Sequence, residues 1–188
     1  MGARYNEFHW VKASDLKTAR EVDSPQSGSL IVLDPDGDRI GCWSVLSGGE
    51  QAFLDGLDEA KKKFASKEIS WTDGEPDLTS DEIKNKLVVY AFVDDKEASN
   101  RTLKNLAHAW IAKDHDRMVF VKTVGLDNDL AKRLKATSLP TLVFVAPGLK
   151  ENDQVVERKG GEMGLRSIRS IQKRAFEQIK KVSEKATK

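Results

Sequence analysis

Two kinds of apolar spacing alternate along residues 79–188. Continuous apolar runs rich in β-branched and aromatic residues cover Leu87–Val93 and Met118–Val121, which is typical of strands buried on both faces. Apolar residues three or four positions apart occur within Leu103–Ile111 and again within Leu165–Val182. This second spacing predicts two helices that each pack one face against the strands.

Polar residues mark the ends of further elements in the same region. Thr79 and Glu82 have the spacing of a capping box, which predicts a short helix there. The polar run Asp127–Asp129 predicts the N-cap of another short helix. Strands are predicted at Thr141–Val145 and near Val155, on either side of a Pro-Gly turn. The predicted order of elements is therefore β-α-β-α-β-β-α.

The first 66 residues repeat the second half of this pattern. At the offset that places Gly28 on Pro140, which is 112 positions, several residues coincide without a gap. They are Phe8 with Phe120, Asp15 with Asp127, Ala19 with Ala131, Leu30 with Leu142, Pro35 with Pro147, Gly48-Gly49-Glu50 with Gly160-Gly161-Glu162, and Phe64 with Phe176. Such agreement in one register indicates an internal repeat. It predicts strands at Phe8–Val11, Leu30–Leu33 and Ile40–Val45, and helices at Asp15–Val22 and Gln51–Phe64.

The repeat divides the chain into a partial copy at 1–66, a linker at 67–78 and a complete domain at 79–188. The partial copy has no counterpart of the strand at Leu87–Val93, although that strand would be central in the sheet. Because unpaired strand edges are costly, the gap needs an explanation. Either the chain is a fragment of a longer tandem protein, or Lys67–Trp71 or a strand of a second molecule fills the gap. The last option includes a homodimer formed through residues 8–64.

The sequence Leu139-Pro140-Thr141, here called the Pro140 loop, stands between a predicted helix and a predicted strand. It is similar to the cis-proline loop of the thioredoxin superfamily. Residues 84–182 resemble one complete domain of that family, and residues 8–64 resemble the C-terminal half of another. The resemblance implies an α/β fold, a thioredoxin-like mixed sheet flanked by helices and preceded by a partial thioredoxin-like repeat. It also implies a cis peptide bond between Leu139 and Pro140.

Members of this family carry Cys-x-x-Cys at the start of the first helix, where the helix dipole and free N–H groups lower the pKa of the thiol. Counting from Phe92, the positions of these cysteines hold Glu97 and Asn100, and neither side chain can attack a disulfide. In the partial copy, Gly28 replaces the proline. The resemblance therefore predicts no catalytic residue and no cofactor in the complete domain. It leaves the non-catalytic roles of such modules, which are binding of an extended peptide at the Pro140 loop, scaffolding and chaperone-like contact.

A rival interpretation is a fragment of a tandem thiol–disulfide oxidoreductase whose Cys-x-x-Cys lies upstream of this chain. The gene sequence upstream of Met1 would discriminate between the two interpretations. The compartment depends on the same question, since the protein is expected to be cytoplasmic if the chain is complete and exported if an upstream signal has been removed. A shortage of cysteine does not decide it, because exported proteins can also lack disulfides.

Composition narrows the choice of partners. The 188 residues include Lys+Arg 31 and Asp+Glu 30, a formal net charge of +1, so no bulk attraction to nucleic acid or to an anionic membrane is expected. No apolar run is long enough to span a bilayer. A protein or peptide partner is the remaining prediction.

The single cysteine, Cys42, excludes an intrachain disulfide, and its place in a predicted strand beside Trp43 favours a small apolar residue over a reactive thiol.

The sequence contains no strong metal-binding motif. His9, His108 and His115 do not have the spacing of a zinc site. The acidic run Asp34–Asp38 lacks the glutamate of a calcium loop, and a tight turn explains it. The basic residues of the last helix are interpreted as a solvated face that suits the helix C-terminus. No metal site is predicted.

Overall fold

The computed structural model describes residues 29–33, 36 and 39–186. The chain divides into two compact units, Met1–Phe64 and Ala65–Lys188. No helix in the part of the chain that the structure describes is both long and apolar enough to cross a membrane.

The described part of the first unit is a β-hairpin followed by a helix. Strand β1 (Ser29–Leu33) pairs antiparallel with β2 (Arg39–Ser44), and helix α1 (Val45–Lys63) follows directly. Gly49 interrupts α1 with a φ of 64°, a left-handed conformation that glycine adopts at little cost. The predicted strand at Phe8–Val11 and the predicted helix at Asp15–Val22 lie outside the described residues.

One face of this hairpin packs on α1 through alternate strand residues. The cluster consists of Val32, Leu57 and Ala60, which are buried, with Leu30, Ile40, Trp43, Phe53 and Leu54 packed around them. The indole N–H of Trp43 donates to Glu59 over 3.1 Å, and Gly41 and Gly56 leave the room that the Trp43 ring occupies. Cys42 is half-buried on β2, in the strand predicted for it.

The second unit contains a five-stranded sheet and four α-helices in the described residues. Its elements are β3 (Trp71–Thr72), β4 (Leu87–Val93), α2 (Glu97–Leu106), α3 (Ala109–Ala112), β5 (Met118–Val124), α4 (Asp129–Arg133), β6 (Thr141–Val145), β7 (Val155–Gly160) and α5 (Leu165–Ala186). The order across the sheet is β3-β5-β4-β6-β7. Strands β3, β4 and β5 are parallel, and β6 runs antiparallel to both of its neighbours.

Helices cover both faces of this sheet, as predicted. All seven residues of β4 are buried, because alternate side chains enter two separate cores. Leu87, Val89 and Ala91 pack with residues of α2, α3 and α5. Val88 and Tyr90 pack with residues of α4 on the opposite face. From β4 onwards, the mixed sheet and the element order β-α-β-α-β-β-α confirm the predicted fold class.

The segment 67–78 differs from its interpretation as a linker. Trp71 and Thr72 pair in parallel with Phe120 and Val121 and form the outer strand β3. Ile69 is only 8% exposed and belongs to the larger core. The segment therefore belongs to the second unit, which begins at Ala65 rather than at residue 79, and Trp71 does not fill the gap in the first unit.

Two predicted helices are also corrected. Thr79 and Glu82 lie in turns rather than in a helix, because Thr79 uses both its N–H and its hydroxyl to donate to the side chain of Asp77, at 2.9 and 2.7 Å. The continuous helix predicted through Ile111 is broken at Ala107, and His108 caps the new helix α3 by accepting from the Trp110 N–H over 3.2 Å.

The offset of 112 positions applies to one strand of each hairpin but not to the other. Strands β1 and β6 coincide exactly at this offset. However, Ser29 pairs with Ser44 whereas Thr141 pairs with Gly160, so the hairpin of the second unit is four residues longer, since 160 − 112 is 48 rather than 44. The internal repeat stays a prediction.

Candidate functional site

The carboxyl end of β4 meets its neighbours at one edge of the sheet. Phe92 pairs with Thr141 of β6, and Thr141 pairs with Gly160 of β7. The Gly161 N–H donates to the Pro140 carbonyl over 2.8 Å, which extends this ladder by one step. The Pro140 loop, the start of α2 and the turn after β7 therefore lie at the same edge.

The Pro140 loop is packed closely against β7. The Leu139–Pro140 peptide bond is cis, as the resemblance implies. Pro140 and Thr141 are buried, and the Thr141 hydroxyl donates to the Ser138 carbonyl over 2.7 Å. A Cβ at Gly160 would overlap the Ser138 hydroxyl, so a larger residue there would require that hydroxyl to move.

Leu139 presents its backbone at this edge. Its side chain is half-buried. Among the described residues, neither its N–H nor its carbonyl has a hydrogen-bond partner. Since backbone groups of folded chains are nearly always paired with protein or water, these two groups are open to solvent or to a ligand.

The start of α2 is organised around Ser99 and Asp94. Ser99 is fully buried, and its hydroxyl donates to the Asp94 carboxylate over 2.5 Å. The Asp94 N–H returns a bond to the Ser99 oxygen over 3.1 Å, and the Lys96 N–H donates to the carboxylate over 3.3 Å. The hydroxyl of Ser99 holds the pKa of Asp94 below its usual range, with a smaller contribution from the Lys96 N–H. Asp94 is therefore ionised at neutral pH.

The two predicted cysteine-replacing positions, Glu97 and Asn100, are both exposed at this helix end. The Glu97 carboxylate is 3.0 Å from the guanidinium of Arg101. The Asn100 side-chain amide donates to the Asp95 carbonyl over 3.4 Å. Neither side chain carries a group that could exchange with a disulfide, and both bond locally.

Residues further along α2 fasten the turn after β7. The Met163 N–H donates to the Thr102 hydroxyl over 3.1 Å, and the Asn105 side chain donates to the Met163 carbonyl over 2.9 Å. The guanidinium of Arg101 lies 2.7 Å from the carboxylate of Glu162. These contacts fix α2 relative to β7 and so hold the edge of the sheet in one shape.

Sequence reasoning missed Ser99, which is the inward-facing side chain of the first helical turn. A signal was available, because the buried face of α2 consists of Ser99, Thr102 and Leu106, which follow a helical spacing. Two of the three are polar, so an apolar pattern begins only after them. The site contains no thiol, and the buried Ser99 hydroxyl is turned towards Asp94 rather than towards solvent.

Metal ligands do not converge here or elsewhere in the described chain. No group of three or more His, Cys, Asp and Glu side chains among residues 29–33, 36 and 39–186 could hold a metal ion. His108 caps α3, whereas His115 begins a separate turn and lies 3.2 Å from the Leu106 carbonyl through its Nε2.

The sheet order, the flanking helices and the cis proline together define the second unit as a thioredoxin-like fold. No protein-family model matches the sequence. No curated protein matches it.

Several solved structures are similar to parts of the chain. The germline-specific thioredoxin Deadhead of Drosophila melanogaster is 20% identical with a TM-score of 0.38, over 48% of this chain and 81% of that one. The thioredoxin of Fasciola hepatica is 18% identical with a TM-score of 0.37, over 64% and 92%. A DsbH oxidoreductase is 19% identical with a TM-score of 0.42, over 60% and 88%. Likeness at these identities and TM-scores carries no argument about function.

Proposed function

We propose that the second unit is a redox-inactive thioredoxin-like module that binds an extended protein or peptide segment at the Pro140 loop. Two independent features support this proposal. The first is the absence of thiol chemistry at the start of α2. The second is the open backbone of Leu139.

The number and position of cysteines support redox inactivity. The only cysteine in the sequence is Cys42, which belongs to the first unit. Thiol–disulfide exchange needs a thiolate that attacks and a second sulfur that accepts, so one cysteine cannot cycle between dithiol and disulfide within the chain. At the helix end, Glu97 and Asn100 stand where the family has its cysteines.

One observation supports binding: within the part of the chain that the structure describes, the N–H and carbonyl of Leu139, beside the buried Pro140, have no hydrogen-bond partner. An extended segment that pairs with these groups gains backbone hydrogen bonds that depend little on its sequence, as in strand addition. The contacts between α2 and the turn after β7 keep this edge rigid, which lowers the entropic cost of binding.

We also infer that the first unit is a partial copy of the second. Both units place two antiparallel strands before a helix, and β1 and β6 occupy the same positions at the offset of 112. Leu30 and Leu142 each face the helix that follows their hairpin. Gly49 and Gly161, which are also 112 positions apart, both have a positive φ, 64° and 85°.

The test of this function has two arms. In the first, the chain and its Cys42→Ser variant are assayed for reduction of insulin disulfides with a thiol-regenerating system. We expect both to show only the background rate. Turnover by the wild-type chain well above that of the Cys42→Ser variant would contradict redox inactivity.

In the second arm, a displayed library of random peptides is selected on the purified chain, and the selected peptides are titrated by calorimetry. Thr137→Arg places a long side chain beside the Pro140 loop, and Ser170→Arg places the same side chain at an exposed position of α5. We expect Thr137→Arg to weaken binding about tenfold or more, equivalent to about 1.4 kcal/mol, and Ser170→Arg to have no effect. Equal affinities for both variants would place the binding surface elsewhere.

A further inference from the structure

The segment that leads from the first unit into the second is fastened beside His115. The Lys67 N–H donates to the Ala107 carbonyl over 3.1 Å, at the break between α2 and α3. Ile69 is buried in the core. Trp71 pairs with Phe120 in the sheet and contacts it edge to face, with ring centroids 6.1 Å apart. In the described sheet, β3 is the outermost strand on this side and pairs only with β5.

His115 contacts the same Phe120 ring that Trp71 contacts. The two rings meet edge to face with centroids 4.8 Å apart. The Nε2 of His115 lies 3.2 Å from the Leu106 carbonyl and donates to it. The imidazole is half-buried, and Phe120 makes edge-to-face contacts with both Trp71 and His115.

The charges that act on this imidazole come from two places. Lys67 belongs to the attached segment, and Asp114 and Asp116 belong to the same turn as His115. Burial lowers the pKa of His115, the bond to the Leu106 carbonyl raises it, and Lys67 lowers it, while the two carboxylates raise it. Asp114 is already engaged, because its carboxylate lies 2.6 Å from the guanidinium of Arg169 on α5.

We propose that protonation of His115 releases the segment 67–72 from the sheet and so lengthens the free connector between the two units. A positive imidazolium would be half-buried against Phe120 and would repel Lys67, which is part of the segment itself. With two residues, β3 is the shortest strand of the sheet, so its backbone pairing is the weakest there, and release must also withdraw Ile69 and Trp71 from the core. The other four strands do not depend on it, so the opening is local.

The test is amide hydrogen exchange of the full chain at about pH 7.5 and about pH 5, because burial lowers the pKa of His115 below the ordinary histidine value of about 6.5. Rates are corrected for the intrinsic effect of pH on exchange. We expect protection of the amides in 67–72 to fall several-fold at the lower pH, while the amides of β6 keep their protection. A matching fall in β6 would mean that the whole unit loosens, which would overturn the proposal.

The matched control is His115→Phe, which keeps an aromatic ring against Phe120 and cannot be protonated. His108 is unchanged in this variant, so its own titration cancels in the comparison. We expect the pH effect on 67–72 to disappear. Lys67→Gln, which removes the charge but leaves the backbone bond, is expected to reduce the effect in part. The same pH effect in wild type and both variants would overturn the proposal.

Discussion

At the residue scale, the Ser99 hydroxyl controls the pKa of one neighbouring carboxyl group. Ser99 lies in the first turn of α2, and its hydroxyl donates to the carboxylate of Asp94 just before the helix. This bond lowers the pKa of the Asp94 carboxyl group. A group whose pKa is lower in the folded chain than in the unfolded chain stabilises the fold above its unfolded value, about 3.9 for aspartate. That contribution is lost as the pH falls through the lowered pKa.

We expect Ser99→Ala to reduce stability at neutral pH, because Asp94 keeps its charge but loses its main donor. The difference from wild type should shrink in acid, where Asp94 becomes protonated in both proteins. Urea unfolding midpoints at about pH 7 and at a pH below the aspartate value of about 3.9 measure this. The control is Ser167→Ala at an exposed position of α5. A loss of stability that is equal at both pH values would mean that packing, rather than the bond to Asp94, explains the effect.

At the scale of elements, α5 is held to the α3 turn by a buried polar network. The side chain of Arg169 is 7% exposed and lies 2.6 Å from Asp114, and it donates to Gln172 over 2.6 Å. Gln172 is fully buried and donates to the Ile111 carbonyl over 3.2 Å. A buried charge that loses its partner costs far more than an exposed one.

Two substitutions of the same kind separate these cases. Asp114→Ala removes the carboxylate facing the buried Arg169, and we expect a loss of about 3 kcal/mol in the free energy of unfolding. Glu157→Ala removes the carboxylate facing Arg174, at the same 2.6 Å but with half of the arginine side chain exposed, and we expect a loss of about 1 kcal/mol or less. Similar losses in chemical denaturation would show that burial does not govern the strength of these ion pairs.

The sequence predicts the elements whose signal is carried by many residues. The apolar run of β4 and the long apolar stripe of α5 each leave one interpretation. In contrast, β3 has two residues, so no periodicity exists to detect, and its strand conformation depends on pairing with Phe120 and Val121. The break before α3 has no glycine or proline to signal it. It depends on a bond from the Trp110 N–H to the His108 ring.

At the candidate site, too, the features that follow from a sequence pattern were predictable, and those that depend on specific contacts were not. The cis bond at Pro140 was predictable from the resemblance, and the exposed positions of Glu97 and Asn100 follow from the helix start. The roles of Ser99 and Asp94 were not predictable, because their bond depends on how the chain turns between β4 and α2. Short polar side chains fit both exposed and buried positions, so composition alone does not assign them.

At the scale of the whole molecule, the two-stranded sheet of the first unit raises the question of what pairs with β1. In the second unit, β6, which coincides with β1 at the offset of 112, lies between β4 and β7, whereas in the described residues β1 pairs only with β2. Ile31 is half-buried and Leu33 is 39% exposed. Apolar side chains that stay this accessible on a strand favour association with another chain.

We therefore expect the chain to form a homodimer through the first unit, measured by light scattering over a dilution series. Ile31→Lys should shift the chain towards monomer, because a charge on β1 disfavours pairing. Val155→Lys, at an exposed apolar residue of β7 in the other sheet, is the matched control and should leave the dimer intact. A monomer at every concentration, with fast amide exchange throughout residues 29–63, would show that the first unit is not a stable folded unit.

The shortness of β3 has a mechanical consequence. Tension along the chain between the two units would reach the Lys67 N–H bond, the buried Ile69 and the two paired residues of β3 before it reached β4. Full extension of the 22 residues between Phe64 and Leu87 would give at most about 75 Å of chain, at about 3.4 Å per residue, and would also withdraw Leu78 and Ile83 from the core beside Tyr90. The edge of the sheet that carries Pro140 would come under load only after this segment had yielded.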